Sequence, residues 1–220
     1  MNPLLIIDLE ATCEKEPQPS YRYEIIEIGA CWVSPSCEVL DTFKTLVRAD
    51  QKLSEFCVEF LDITQAEVDG GVSFPDAAAA LAEFANRYPG KTWASWGFGD
   101  LKIIERDCAY HGVENPLEDW AHRNLKLEYH DAKPKPKKKV QHVGMKRAMV
   151  ELGIQQDGAH HRALPDALNI AKVFVERVRR ESWKTDFDAR KNAKFAANMV
   201  LMEIDKLDID YPRPPPEGDE

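Results

Sequence analysis

Two acidic residues end an apolar stretch near the beginning of the chain. Leu4–Ile7 is entirely apolar, and Asp8 and Glu10 follow it with only Leu9 between them. Because residues two positions apart face the same side of a strand, their carboxylates would lie side by side. Close carboxylates resist being ionised together unless a cation lies between them. For the pair alone, a solvated Glu10 beyond the end of the strand is the simpler interpretation.

Two further acids lie where helices are predicted to begin. Asp100 stands in SWGFGDLK, after an apolar strand, and Asp166 lies in the first turn of the helix that follows HHRALP. Asp100 would serve as a helix cap, and Asp166 would interact favourably with the helix dipole. Taken together with Asp8 and Glu10, however, they form a set of four carboxylates. Oxygen ligands in this number suit Mg²⁺ or Mn²⁺ better than zinc or copper.

A histidine accompanies the last of these acids. His161 precedes Asp166 by five residues in the loop DGAHHRALPD. A histidine beside a hard-metal site, and not needed as a ligand, is suited to accept a proton from water. The neighbouring His160 is interpreted as a surface loop residue. The residues alone do not choose cleanly between the two, and the spacing to Asp166 favours His161.

Composition indicates one domain of ordinary size plus an extension. The chain has 220 residues, 44% of them hydrophobic, and a net charge of −9, which argues against a protein that is basic all over. The five cysteines include no CxxC pair, which favours reduced thiols and argues against a cysteine zinc site. No secretion signal or membrane-spanning run is recognisable, so a soluble, cytoplasmic protein is predicted.

The order of predicted elements indicates a mixed sheet with helices packed on it. Strands are expected at LLIIDLEA, EIIEIGACWV, VLDTFKTLVRA and KTWASW, the second and third forming a hairpin around Ser34–Glu38. RNLKLEYH is predicted to be a strand or an extended segment. Helices are expected from Pro75, up to Gly112, up to Gly153, and from Pro165 onward.

The acids and the histidine, in this order and spacing, resemble the DEDDh exonucleases, which have a ribonuclease-H-like fold. The segments IDLEATCE, EIIEIGA, DTFKTLVR, LSEFCVEFLDITQAEVD and FPDA are similar to the Eri-1-like exoribonuclease branch of that family. The resemblance runs from about Leu4 to about Val178. It implies an α/β fold with a mixed sheet of about five strands flanked by helices.

The resemblance also implies an activity: hydrolysis of nucleic acid from the 3′ end to nucleoside 5′-monophosphates. Asp8, Glu10, Asp100 and Asp166 would hold two Mg²⁺ ions, which Mn²⁺ could replace, and His161 would act as the general base. The expected partner is a nucleic-acid 3′ end, with RNA favoured over DNA. No membrane partner is expected, and the oligomeric state is left open.

Aromatic residues are candidates for contacts with the terminal base. Phe56, in LSEFC, matches a position where a ring stacks on that base in the family, although composition alone would favour a core phenylalanine. Eri-1-like enzymes often carry an aromatic residue immediately before the third acid, but here that place is Gly99. Phe98, or else Trp96, is the candidate replacement.

Further candidates lie close to the first two acids. Ala11 and Thr12, directly after Glu10, are predicted substrate contacts, and Glu24 matches a recurrent acid of the branch, interpreted as supporting the structure.

The segment KPKPKKK, at 133–139, is strongly basic and contains two prolines, so it is predicted to be a loop. Lys137 and Lys138 are its candidate phosphate contacts. A solvated charged loop without a binding role is an equally good interpretation.

Three segments are predicted along the chain: an exonuclease domain at 1–183, a helical extension at 184–210, and a disordered proline-rich acidic tail at 211–220. Three alternative functions are left open. They are a DNA exonuclease of proofreading or repair type, a catalytically silent nucleic-acid-binding module, and a metal-dependent phosphatase acting on small esters.

Overall fold

The computed structural model describes residues 2–18, 20–131, 143–158 and 161–179. The strands are β1 Leu4–Ala11, β2 Ile25–Val33, β3 Val39–Leu46, β4 Thr92–Ser95 and β5 Ala121–Asn124. The helices are α1 Glu55–Leu61, α2 Gln65–Asp69, α3 Phe74–Ala85, α4 Gly99–His111, α5 Leu125–Asp131, α6 Met145–Leu152 and α7 Ala163–Arg179.

The five strands form one mixed sheet in the order β3-β2-β1-β4-β5. β1 lies at the centre, antiparallel to β2 and parallel to β4, and β5 continues the parallel side. β2 and β3 form the expected antiparallel hairpin. In the register of β1 and β2, Asp8 lies opposite Gly29 and Glu10 lies opposite Glu27.

The helices cover both faces of the sheet. On the face that carries Leu4 and Ile6, Cys31 and Val33 of β2 pack against apolar residues of α5, α6 and α7. On the other face, the indole nitrogen of Trp32 donates a hydrogen bond to the Phe84 carbonyl of α3, at 3.1 Å. Burial on both faces explains why β1 is an uninterrupted apolar run until it reaches the acids.

The predicted helix ends agree with local chemistry. Ser73 caps α3, and Pro75 lies in its first turn. α4 ends at Gly112 and α6 ends at Gly153, both in the left-handed conformation that glycine adopts without strain. Among the helices of the described part of the chain, none combines the length and apolar character needed to cross a membrane.

The prediction for RNLKLEYH is wrong after its first two residues. Arg123 and Asn124 end β5, but Leu125–Asp131 is the helix α5. Leu125 and Tyr129 are both buried, and their spacing of four residues places them on one face of a helix. The predicted extension at 184–210, the tail at 211–220 and the basic segment with Lys137 and Lys138 lie outside the described residues.

Candidate active site

The first two acids project from the same face of β1, in the middle of the sheet. Glu10 is only 9% exposed, and Asp8 is partly exposed. Burial and the nearby carboxylates of Asp100, Glu10 and Asp166 raise the pKa of Asp8 well above its ordinary value. Acids distant in sequence therefore act on Asp8 together, and the structure brings the four predicted acids into one cluster.

Asp100 reaches this cluster from the first turn of α4. Its Oδ1 accepts the backbone N–H of Leu9, at 3.1 Å, which ties the start of α4 to β1. The capping interpretation of Asp100 is wrong, because the cap position is occupied by Phe98, which makes no side-chain capping bond. Burial raises the pKa of Asp100 to about 6, although the hydrogen bond from Leu9 and the nearby Ser95 hydroxyl oppose this increase.

The electrostatics of Glu10 indicate which kind of ligand the cluster fits. Burial, followed by repulsion from Asp166, Glu27 and Asp100, raises the pKa of Glu10 to about 8, and the nearby Arg162 opposes this only in part. Carboxylates in this arrangement become fully ionised at neutral pH only when cations offset their repulsion. The donors are hard oxygen atoms, so the cluster fits divalent metal ions of the Mg²⁺ or Mn²⁺ type.

Asp166 and His161 enter the site together. Asp166 is buried in the first turn of α7, and its Oδ2 accepts the backbone N–H of His161, at 3.0 Å. His161 has a φ of 62°, in the left-handed region. One imidazole nitrogen and one carboxylate oxygen each of Glu10 and Asp166 all lie within 4.8 Å of one another. His161 is therefore placed to accept a proton from a water in the cluster or to bind a metal ion directly.

A buried ion pair holds the chain immediately after His161. Glu27 is fully buried, and both of its oxygens accept hydrogen bonds from the Arg162 guanidinium, at 3.0 and 3.2 Å. The Ala163 N–H and the Lys44 ammonium also approach Glu27, at 3.1 and 3.0 Å. Burial raises the pKa of Glu27, but these partners outweigh it and the net pKa is lowered. Sequence reasoning missed this pair, although Glu27, with Ile26 and Ile28 on either side, was a signal.

Gly29 allows α7 to approach the sheet closely. A Cβ atom at this position would lie 2.1 Å from the carbonyl carbon of Ala163, closer than real contacts permit. Only glycine therefore lets the first turn of α7 rest on β2 directly opposite Asp8. This contact brings Asp166 within reach of the acids of β1.

Two rings of α1 form a wall beside His161. Phe56 and Phe60 stack with centroids 5.5 Å apart and planes 11° apart, and the Phe60 ring lies 4.2 Å from the imidazole of His161. Phe60 is 48% exposed, unusual for so large an apolar side chain. Phe60 was not predicted, although its position one helical turn after Phe56 was an available signal.

The candidate aromatics before Asp100 are placed differently. Trp96 packs against the buried ring of Tyr129, with centroids 5.8 Å apart, while Phe98 is partly exposed and lies 5.7 Å from the ring of His122. A Cβ at Gly99 would meet nothing within 4 Å, so the space beside Asp100 is open. Stacking on substrate by Phe56 and Phe98 stays a prediction.

Thr12 serves the structure of the loop after β1. It is fully buried, and its hydroxyl accepts hydrogen bonds from the Glu24 N–H and from the Gln51 amide, both at 2.9 Å. Ala11 remains partly exposed beside Glu10, where the register with β2 shifts. Substrate contacts by Ala11 and Thr12 stay predictions.

Glu24 has structural partners, in line with its predicted role. It is buried, forms an ion pair with Arg22 at 2.9 Å, and accepts the backbone N–H of Asp50 at 2.6 Å.

The exonuclease family model, RNase_T, matches residues 5–174. The chain belongs to this family. It is 32% identical to the probable 3′-5′ exonuclease KapD of Bacillus subtilis over 222 residues, covering 99% of this chain and 93% of that protein. It is 27% identical to human 3′-5′ exoribonuclease 1 over 225 residues, but there it spans only 61% of the relative's length.

A solved structure supports the same assignment. The nuclease domain of 3′hExo, a DEDDh family member bound to rAMP, matches with a TM-score of 0.69 and 27% identity, covering 80% of this chain and 92% of that domain. The predicted DEDDh family, the ribonuclease-H-like fold and the class of 3′–5′ exonuclease are thereby confirmed. Membership of this family implies divalent metal ions, which the carboxylate cluster fits.

Proposed function

We propose that the protein is a 3′–5′ exoribonuclease that shortens single-stranded RNA to nucleoside 5′-monophosphates, using two Mg²⁺ ions for which Mn²⁺ can substitute. The observation that carries this proposal is the convergence of Asp8, Glu10, Asp100 and Asp166 with His161 in one cluster. Membership of the exonuclease family gives the class of reaction, and the chemistry of these five side chains supports the role proposed for each.

The four carboxylates would hold the metal ions. When bound, two divalent ions make a water molecule more acidic and stabilise negative charge on the leaving 3′ oxygen. His161 would accept the proton of the attacking water, for which a histidine near neutral pKa is suited. The hydrogen bond to Asp166 and the Glu27–Arg162 pair on the next residue would keep its imidazole at the cluster.

The aromatic wall would select the end of the strand. Phe60 and Phe56 lie beside His161, so a base stacked on them would bring its phosphate toward the carboxylates. Stacking on an aromatic ring contributes about 1–3 kcal/mol per base and tolerates any base. The names of the human exoribonuclease and of the rAMP complex support a ribonucleotide substrate.

Contacts beyond the terminal nucleotide belong to the same proposal. Lys137 and Lys138 would bind phosphates of the strand. A cytoplasmic location is a separate part of the proposal. Replacing KPKPKKK by serines would then reduce the salt dependence of RNA binding. An unchanged salt slope would remove the basic segment from the proposal.

The direct test uses 5′-labelled single-stranded RNA and DNA of equal sequence with Mg²⁺ or Mn²⁺. The expected product is a ladder that shortens by one nucleotide from the 3′ end, faster on RNA, and absent with Asp8→Ala and His161→Ala. Faster degradation of DNA would instead support the proofreading or repair alternative. Intact oligomers that remain bound to the protein would contradict nuclease activity and favour a silent binding module.

A further inference from the structure

A buried serine and histidine lie behind Asp100, outside the set of residues assigned above. Ser95 ends β4 and is fully buried, and His122 of β5 is also buried. The Ser95 hydroxyl lies 2.9 Å from Nε2 of His122 and 3.0 Å from the Gly97 carbonyl oxygen. Its proximity also lowers the pKa of the Asp100 carboxyl, against the larger effect of burial. Hydrogen bonds therefore lead from β5 to Gly97, in the turn that precedes α4 and Asp100.

The surroundings of His122 favour one arrangement of hydrogens. Its Nδ1 is buried and has no hydrogen-bond partner among the described residues. A buried N–H without an acceptor is rarer in proteins than an acceptor that lacks a donor. The proton therefore belongs on Nε2, from which it is donated to the Ser95 oxygen. Burial also lowers the pKa of His122 to about 4, so the ring is neutral at neutral pH.

This arrangement determines the direction of the Ser95 hydroxyl. Because His122 donates to the Ser95 oxygen, the single hydroxyl hydrogen is donated to the Gly97 carbonyl, in the turn that leads into α4. The ring of His122 is held in place by Trp93, with centroids 4.3 Å apart. The Oδ1 atom of Asp100 accepts a hydrogen bond from the Leu9 N–H of β1.

We infer that Ser95 and His122 are a positioning pair that holds the turn at Gly97 and thereby orients the Asp100 carboxylate for metal binding. His122 acts through Ser95 and touches neither metal nor substrate. The inference rests on the proposed function only in taking Asp100 as a metal ligand. Partners that orient a metal ligand typically change metal affinity by about 10- to 100-fold when they are lost.

The test is calorimetric titration of the protein with Mn²⁺ in the absence of nucleic acid. His122→Phe and Ser95→Ala are expected to bind Mn²⁺ about 10- to 100-fold more weakly than the wild type. His122→Gln, whose amide N–H can replace Nε2–H, is expected to retain most of the affinity. His111→Phe is the matched control, because His111 stacks on Phe74 at the other end of α4.

Wild-type Mn²⁺ affinity in folded His122→Phe and Ser95→Ala would overturn the inference. Equal losses in His122→Phe and His122→Gln would also overturn it, because they would indicate a packing effect. Ser95→Ala provides an independent test should His122→Phe not fold. If the wild type bound Mn²⁺ but degraded no RNA or DNA, the proposed function would fail, while weak binding by His122→Phe would still support the positioning pair.

Discussion

The four carboxylates and the aromatic wall, which meet at His161, differ in the elements that carry them. Asp8 and Glu10 project from the central strand, and Asp100 and Asp166 project from the first turns of long helices. Phe56 and Phe60 stand on α1, which has seven residues, and His161 precedes α7 with a left-handed backbone. The parts that would bind metal are thus fixed by regular structure, whereas those that would contact the terminal base are carried by short segments.

This difference suggests a division of function between the carboxylates and the aromatic wall. Displacing a carboxylate would require breaking the sheet or shifting a packed helix, so we expect the metal chemistry to be sensitive to any change there. The aromatic wall is exposed, so we expect its substitutions to change substrate affinity more than the chemical step. The following variants test this division, from the largest expected effect to the smallest.

Asp8→Asn is expected to reduce turnover by more than about 1000-fold, because a metal ligand contributes several kcal/mol to the transition state and each 1.4 kcal/mol is tenfold in rate. The same variant should stabilise the metal-free protein, because it removes a carboxylate that its neighbours repel. Exonuclease rates and thermal unfolding without metal check the two effects. Glu59→Gln on the exposed side of α1 serves as the control, and a comparable loss of activity in that variant would contradict the assignment.

His161→Gln is expected to lower kcat by about 100- to 10,000-fold, the usual contribution of a general base. Mn²⁺ binding measured by calorimetry should remain close to that of the wild type. This combination would separate His161 from the carboxylates. A parallel loss of Mn²⁺ affinity would show instead that His161 is a metal ligand, which its distance to Glu10 and Asp166 also permits.

Phe56→Ala and Phe60→Ala are expected to raise KM for a single-stranded oligonucleotide by about 5- to 150-fold, corresponding to about 1–3 kcal/mol of base stacking. Only Phe60→Ala should also lower kcat, because the Phe60 ring contacts the imidazole of His161. Steady-state kinetics on one substrate distinguish the two. Unchanged KM values in both variants would mean that the terminal base does not stack on α1.

Gly99→Trp is expected to have the smallest effect, a decrease in KM of about fivefold from one additional ring contact of about 1 kcal/mol. The position is open, because a Cβ there meets nothing within 4 Å, so the indole can be accommodated. Comparison of KM with that of Gly99→Ala separates the ring from the loss of glycine. A higher KM in Gly99→Trp would show that the open space is needed by the substrate.

The sequence could predict those features that depend on local structure. The side-by-side placement of Asp8 and Glu10 follows from the local period of a strand, and glycine ends of helices follow from backbone sterics. Asp100 and Asp166 joined this set through their places at predicted helix starts, and the resemblance to the family gave the four acids their role. Capping by Asp100 was wrong because α4 begins one residue earlier, at Gly99, which leaves the carboxylate to accept the Leu9 N–H.

Contacts between distant residues were not predictable from local pattern. Glu27 and Arg162 are 135 positions apart, and Ser95 and His122 are 27 apart, so only the folded sheet brings each pair together. The helix α5 was misjudged because strand-like residues in RNLKLEYH outweighed the four-residue spacing of its buried side chains. Local propensity is a weak guide where tertiary packing decides the conformation.

The central claim is that the repulsion within the carboxylate cluster is relieved by divalent cations, and thermal unfolding as a function of pH tests it most directly. Burial and neighbouring acids raise the pKa of Glu10 from an ordinary 4.5 to about 8. Between these values the folded protein binds more protons than the unfolded chain, so stability must fall as pH rises through this window.

Without metal, the melting temperature is therefore expected to fall between about pH 5 and pH 8, and less steeply in Glu10→Gln. Excess Mn²⁺ is expected to raise the melting temperature most at the upper end of this range, because the ions bind the ionised carboxylates. A metal-free profile that is flat across the window, or one that Mn²⁺ leaves unchanged, would contradict the account.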